Sequence, residues 1–141
     1  MNQEEKRLLV KRQVEKAYHF MNQADEMISL GHTDLAVNRL YYACFHIVQA
    51  LFLQSGISVR THSGIITQFS QHFVKTGMVP IEKGSLLARL FQLRQKADYN
   101  CAYDISEEEA KSLIVPVHLF IAEISKMIDN KVINTENDVK E

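Results

Sequence analysis

Tryptophan is absent from this sequence of 141 residues, and helix breakers are scarce, with two prolines and five glycines. So few turn-forming residues argue against a β-sandwich or barrel, in which short strands alternate with turns rich in glycine and proline. A membrane-spanning apolar run is also missing, because Tyr, His and Gln interrupt the longest one, around residues 40 to 53. The length fits one domain that buries roughly two-thirds of its unfolded surface.

Charge and cysteine content exclude further classes of protein. The 16 basic and 17 acidic residues give a net charge of −1, so nucleic-acid binding would need a local basic patch. Cys44 and Cys101 lie far apart without metal-ligand spacing, which predicts two free thiols in a reducing cytosol. The N-terminus lacks an apolar signal segment, so we expect a cytoplasmic protein. Without a Cys–His cluster or a glycine-rich phosphate loop, the sequence predicts no metal and no cofactor.

Hydrophobic periodicity predicts five helices with short connections, over residues 3–29, 33–55, 62–75, 82–99 and 106–130. The second helix is apolar on nearly all sides and is therefore expected at the centre. The stretch SEEE at 106–109 is typical of a helix start, and Pro116 should kink the fifth helix or cost it a hydrogen bond. The pattern predicts one all-α, up-and-down bundle of four to five helices over residues 1–131. A polar tail, 132–141, is expected to fray.

Polar residues form a stripe on the apolar second helix. Asn38, Tyr42, His46 and Gln49 are spaced by four, four and three residues, and Arg39 lies beside them. Such groups must be hydrogen-bonded or solvated. The more common explanation is a set of satisfied core hydrogen bonds. The alternative is that the stripe lines a cleft and binds a ligand.

The stretch LARLFQLRQKADYN, residues 87 to 100, ends the fourth helix with a second polar group. Arg94 and Asp98 are four residues apart and can form an ion pair on a face separate from the leucines. An exposed pair of this kind is worth only about 0.3–0.5 kcal/mol, so stability alone explains it poorly. Tyr99 follows at the helix end, where its hydroxyl could face Arg94 or a partner.

The fourth helix is also richer in apolar residues than one side of a bundle requires. Besides the face formed by Leu86, Leu90 and Leu93, it carries Leu87 and Phe91. An exposed apolar patch usually marks a partner surface. The sequence therefore predicts a two-fold symmetric homodimer that buries part of this helix near its end.

Four segments in order, NRLYYACFHIVQALFLQSG, THSGIITQF, LRQKADYN and SEEEAKSLI, resemble the HEPN superfamily over about residues 12 to 130. The nearest branch has A-x-x-R-x-Y-Y-A-x-F-H in its second helix and R-x-x-A-D-Y at the end of its fourth. The resemblance implies a helical bundle that dimerises and, in many members, metal-independent ribonuclease activity. It also implies pairing with a nucleotidyltransferase, which in some systems adenylylates a tyrosine.

The active HEPN motif places a histidine after its arginine, with four to six residues between the two. Arg94 matches the arginine, but the corresponding positions hold Tyr99, Asn100 and Cys101. Histidine, with a pKa of about 6.5, suits proton transfer near neutral pH, whereas tyrosine, at about 10, is a poor base. The phosphate-binding half of the motif is therefore retained without its proton-transfer half, and His46 is one candidate replacement.

These observations lead to two hypotheses. The first is a nucleic-acid-directed module, of the toxin type or paired with a nucleotidyltransferase, with weak or absent ribonuclease activity. The second is a non-enzymatic binding partner that holds a protein or a nucleotide in the Arg94 cleft. The predicted catalytic residues are Arg94 and Tyr99; the predicted binding residues are Asp98, His46, Tyr42, Asn38 and Arg39. The sequence leaves open whether Tyr99 or Tyr103 is modified.

Overall fold

The computed structural model describes the backbone of residues 1–100 and 103–140, and the side chains of that part as far as residue 128. The α-helices α1 to α5 are Gln3–Ser29, Thr33–Ser55, His62–Phe69, Ile81–Tyr99 and Glu107–Lys140, and a π-helical turn, Ser70–Val74, follows α3 directly. No strand occurs in these ranges, so the predicted all-α class is confirmed. None of the helices in the same ranges is long and apolar enough to cross a bilayer.

Helix α2 is the centre of the bundle, as its apolar character predicted. It packs against α1, α4 and α5. Its core-facing aliphatic side chains, including Leu40, Ile47 and Leu51, are completely buried. Burial of each such side chain stabilises the fold by about 1.5–3 kcal/mol. The helix ends at Gly56, whose left-handed backbone (φ 74°) suits a residue without a Cβ.

The buried face of α4 differs from the predicted one. Leu87, Leu90 and Leu93 are its buried residues, whereas Leu86 and Phe91 are half-buried against the core. Leu87 is only 1% exposed, so it does not contribute to a surface patch. The predicted excess of exposed apolar surface is therefore wrong, because the residues assigned to it are used within the bundle. The homodimer loses this support and stays a prediction.

Two predicted helix ends differ in the structure, whereas the predicted start of the fifth helix, capped by Ser106, is confirmed. The third predicted helix is α3 followed by a π turn, in which the Lys75 amide donates to the Ser70 carbonyl at 2.8 Å. Helix α5 begins after Ser106, whose Oγ accepts from the Glu109 amide at 3.1 Å. It continues unbroken past Pro116 and the predicted end near residue 130, because no Gly or Pro occurs between 131 and 140. The proposed domain limit at 131 lies beyond the described side chains and stays a prediction.

Candidate functional site

Arg94 lies on the core-facing side of α4, contrary to the prediction of a separate polar face. It follows Leu87 by seven residues and Leu90 by four, so helical periodicity directs all three towards α2. Its guanidinium carbon is 5.3 Å from the ring centroid of Tyr41 and 5.3 Å from that of Tyr42. The side chain is 22% exposed. Two tyrosine rings therefore hold the guanidinium in place by cation–π attraction while part of it still faces solvent.

Asp98 orients the same guanidinium from one helical turn away. Nε of Arg94 lies 3.6 Å from Oδ2 of Asp98, which is an ion pair but slightly too long for a hydrogen bond. That Nε is buried and has no hydrogen-bond partner among the described residues. The predicted Arg94–Asp98 pair is therefore present, but the tyrosine rings rather than the carboxylate provide most of the surroundings of Arg94.

His62, the first residue of α3, lies in the same cluster, and the sequence did not single it out as part of a site. Its Nδ1 is 2.5 Å from the hydroxyl of Tyr41. Its ring stacks on Phe45 of α2 at 4.9 Å and on Phe91 of α4 at 6.5 Å. The sequence contains one signal for the position of His62. The segment Thr61–Gly64 starts α3, which comes between α2 and α4 in the chain, so His62 begins a helix that can pack against both. We refer to Arg94, Tyr41, Tyr42 and His62 as the Arg94 cluster.

Burial and the arginine charge set the protonation states within the Arg94 cluster. Burial raises the pKa of Tyr41 to about 12, although the positive charge of Arg94 opposes the rise. Burial lowers the pKa of His62 below its usual 6.5, and repulsion from Arg94 lowers it further. At neutral pH the phenol of Tyr41 and the imidazole of His62 are therefore neutral, beside the positively charged Arg94. Such a set can bind an anion at Arg94 and exchange a proton at His62.

A small cavity opens beside Arg94 between α2 and the end of α4. Its polar lining is Asp34, Asn38, Arg94, Asp98 and Tyr103. Its volume is about 30 Å³, which is room for about two water molecules. The predicted residues Asn38 and Asp98 thus meet at this cavity. A group bound there would contact the open side of the guanidinium.

The remaining residues of the α2 stripe turn towards α1. His46 Nδ1 is 2.6 Å from Oε1 of Gln13, and its ring stacks on Phe20 at 5.3 Å. Arg39 donates from Nε to Gln23 at 2.9 Å. Burial lowers the pKa of His46, and the charge of Lys16 adds to the effect. His46 is therefore held at the α1–α2 contact, as the satisfied-core explanation predicted, whereas the imidazole hydrogen-bonded within the Arg94 cluster is that of His62.

Arg39 completes a polar network at that contact. It donates from an η nitrogen to Oδ1 of Asn38 at 2.7 Å and lies 5.7 Å from the Phe20 ring centroid. Asn38 thereby links this network to the cavity beside Arg94. The α2 stripe is divided: Tyr42 and Asn38 face the Arg94 cluster or its cavity, and Arg39 and His46 face α1.

Tyr99 and Tyr103 occupy different environments. Tyr99 is 86% exposed at the last residue of α4, so its hydroxyl is accessible to a second molecule but lies outside the Arg94 cluster. Tyr103 lines the cavity and has the ammonium of Lys96 5.6 Å from its ring centroid. Among the described residues, no group of three His, Cys, Asp or Glu side chains is arranged to hold a metal ion.

Comparison with known proteins places these observations in a family. Residues 10–127 match the model of the HEPN domain. The chain is 32% identical over 126 residues to a Methanocaldococcus jannaschii protein named "Putative toxin MJ0142", an alignment that covers 89% of this chain and 86% of the relative. It is 35% identical over 130 residues to a Thermotoga maritima protein named "UPF0332 protein", covering 92% and 97%. A second M. jannaschii relative, "Putative toxin MJ0605", is 37% identical over 93 residues, covering 66% and 69%.

Proposed function

The chain belongs to the HEPN domain family, and from that premise we propose that it is a toxin-type module that acts on RNA through Arg94. The names of two M. jannaschii relatives support the toxin part of this proposal. The single observation that carries the RNA part is the guanidinium fixed between Tyr41 and Tyr42 at the mouth of a small cavity.

The surroundings of Arg94 suit a phosphate ligand. A guanidinium presents parallel N–H donors that match two oxygens of a phosphate, and the adjacent rings restrict its orientation before the ligand arrives. Nε of Arg94 is buried and lies 3.6 Å from Asp98, so the donors that a phosphate would use are those of the two η nitrogens. We expect a phosphodiester to bind Arg94 at this cavity, with Asn38 as a neighbouring hydrogen-bonding group. It would bind against repulsion from the carboxylates of Asp34 and Asp98, which also line the cavity.

Cleavage by this module is expected to be slow and independent of metal ions. The positions where the family motif has histidine hold Tyr99, Asn100 and Cys101, so no imidazole follows Arg94 on its own helix. An exposed tyrosine such as Tyr99 has little tendency to accept a proton near pH 7. We therefore expect the protein to bind RNA at Arg94 but to cleave it slowly.

Tyr99 supports a second element of the proposal, a paired nucleotidyltransferase. Tyr99 is among the most exposed large residues of the described part of the chain, at 86%, so its side chain is accessible to a transferring enzyme. This accessibility also favours the alternative in which the protein is a non-enzymatic binding partner. An adjacent nucleotidyltransferase gene, and a mass increase of the protein on incubation with that enzyme and ATP, would support the paired system. Tyr99→Phe should abolish the modification.

The experiment that tests the central proposal is RNA binding and cleavage in the presence of a chelator. Wild-type protein should bind a single-stranded oligoribonucleotide, and Arg94→Ala should weaken the affinity at least tenfold. Arg94→Lys should fail to restore it, because an ammonium lacks the paired donors of the guanidinium. Arg89→Ala is the matched control, since Arg89 is on the same helix, 54% exposed, and paired with Glu109. Equal affinity of wild type and Arg94→Ala would refute the proposal.

A further inference from the structure

The imidazole that the motif lacks on α4 is present in the Arg94 cluster on another helix. We propose that His62, at the start of α3, is the proton-transfer residue of the Arg94 site and removes the proton of the ribose 2′-hydroxyl in RNA cleavage. This inference rests on the proposed function and names a catalytic residue for it. His62 thereby takes the role for which the sequence had suggested His46, which is hydrogen-bonded to Gln13 at the contact with α1.

The position of His62 is fixed by three helices. Thr61 caps α3, with its Oγ1 accepting from the Gly64 amide at 3.0 Å. A Cβ on Gly64 would lie 2.8 Å from that oxygen, so the tight turn requires glycine there. The His62 ring stacks on Phe45 and on Phe91, with interplanar angles of 30° and 17°. The packing thus restricts rotation of the imidazole, as proton transfer to a bound substrate requires.

Tyr41 connects His62 to Arg94. Its hydroxyl is 2.5 Å from Nδ1 of His62, and its ring lies 5.3 Å from the guanidinium carbon of Arg94. Tyr41 is only 2% exposed, so it serves as a buried support for both groups rather than as a contact to substrate. Within the described part of the chain, no side chain bonds Nε2 of His62. Nε2 is therefore the ring nitrogen of His62 that is open to a ligand, although His62 does not line the cavity beside Arg94.

The chemistry requires one tautomer of His62. For Nε2 to act as a base, Nδ1–H must donate to the Tyr41 oxygen, because donation from the Tyr41 hydroxyl to Nδ1 would leave the ring proton on Nε2. The neutral state that this needs is favoured by burial and by the nearby positive charge, which lower the pKa of His62. The first turn of α3 adds to this preference, since the N-terminal end of a helix disfavours a cation.

In the proposed step, Nε2 of His62 accepts the 2′-hydroxyl proton while the 2′-oxygen forms a bond to phosphorus. The bond between phosphorus and the 5′-oxygen breaks, and the departing oxygen takes a proton from water. Arg94 binds the non-bridging oxygens, whose negative charge increases in the transition state. The products are a 2′,3′-cyclic phosphate and a 5′-hydroxyl end, and His62 returns its proton to solvent.

The test is cleavage of a fluorescent single-stranded oligoribonucleotide under single-turnover conditions with a chelator present. Loss of a general base typically costs about 100- to 10,000-fold, so His62→Gln should slow cleavage at least 100-fold and leave RNA affinity within about twofold. His46→Gln is the matched control and should cleave like wild type. A 2′-deoxy substitution at the cleaved nucleotide should stop the reaction without preventing binding.

Chemical rescue separates proton transfer from structural support. The space left by His62→Ala beside the rings of Phe45 and Phe91 suits free imidazole, and added imidazole should restore part of the rate. A structural defect would not respond in this way. Tyr41→Phe retains the packing but removes the hydroxyl, so as a change at a positioning residue it should slow cleavage without abolishing it. It should also alter the pH at which the rate falls on the acidic side.

The outcomes distinguish this inference from the proposed function. If Arg94→Ala binds RNA like wild type, the proposed function fails. If Arg94→Ala loses binding but folded His62→Gln cleaves as fast as wild type, only the role of His62 fails. A wild-type protein that binds RNA and forms no cyclic phosphate product would also overturn the role of His62. Circular dichroism on every variant establishes that each is folded.

Discussion

Arg94→Ala should lower the free energy of unfolding by more than the loss of a surface ion pair would. The guanidinium carbon lies 5.3 Å from two ring centroids, and the side chain is only 22% exposed. A cation–π contact contributes about 0.5–1 kcal/mol when exposed and about 2 kcal/mol when desolvated. For two rings in partly exposed surroundings we expect a loss of about 1–2 kcal/mol. An exposed Arg94–Asp98 pair alone would predict about 0.3–0.5 kcal/mol.

Urea unfolding followed by circular dichroism measures this difference. Arg94→Lys retains a cation near the rings and should recover part of the lost free energy of unfolding, although it should not recover RNA binding. A double-mutant cycle with Tyr42→Leu isolates the contact itself, and a coupling energy of about 0.5–1 kcal/mol is expected. Arg89→Ala, the exposed arginine of the same helix, should cost less than about 1 kcal/mol.

Two results would refute this reasoning. The first is a loss below about 0.5 kcal/mol for Arg94→Ala, which would mean that the tyrosine contacts are not maintained in solution. The second is a coupling energy of zero between Arg94 and Tyr42. Either result would leave the guanidinium mobile and remove the argument that it is oriented for a phosphate.

Four further predictions follow from other side chains. His46→Gln should lower the free energy of unfolding by about 1 kcal/mol and leave RNA binding unchanged; the reverse pattern would show that His46 lines a functional cleft. Because the pKa values of His46 and His62 are lowered on folding, their neutral forms favour the native state above about pH 6.5. Stability should therefore fall as pH drops from 6.5 through the lowered values, and less steeply in the double Gln variant, when urea curves at pH 7.5 and 5.5 are compared. Cys44 is completely buried, which raises its pKa, so the thiol of a Cys101→Ser variant should react with a thiol reagent only after unfolding. Light scattering at micromolar concentration should give the mass of a dimer; a monomer would contradict the predicted homodimer.

Local properties of the chain were sufficient to predict that it forms helices and approximately where they lie. Apolar periodicity and the scarcity of Gly and Pro determined the all-α class and the central position of α2, because these patterns act within single helices. The serine before α5 similarly marked its start through a contact between neighbours in sequence. The place of Tyr99 at the end of α4 was predicted in the same way, whereas the direction of its side chain was left open.

The composition of the site was decided by tertiary packing. Arg94 and Asp98 were recognisable from their spacing, but the rotation of α4 that directs Arg94 onto Tyr41 depends on which leucines fill the core. His62 is 32 residues from Arg94 in the sequence, and only the packing of α3 against α2 and α4 brings its imidazole to Tyr41. His46 illustrates the converse, since its stripe on α2 is continuous in sequence but is divided between α1 and α4 by the packing. Periodicity indicates which residues share a helix face, whereas the partner of that face is set by side-chain volumes and contacts distant in sequence.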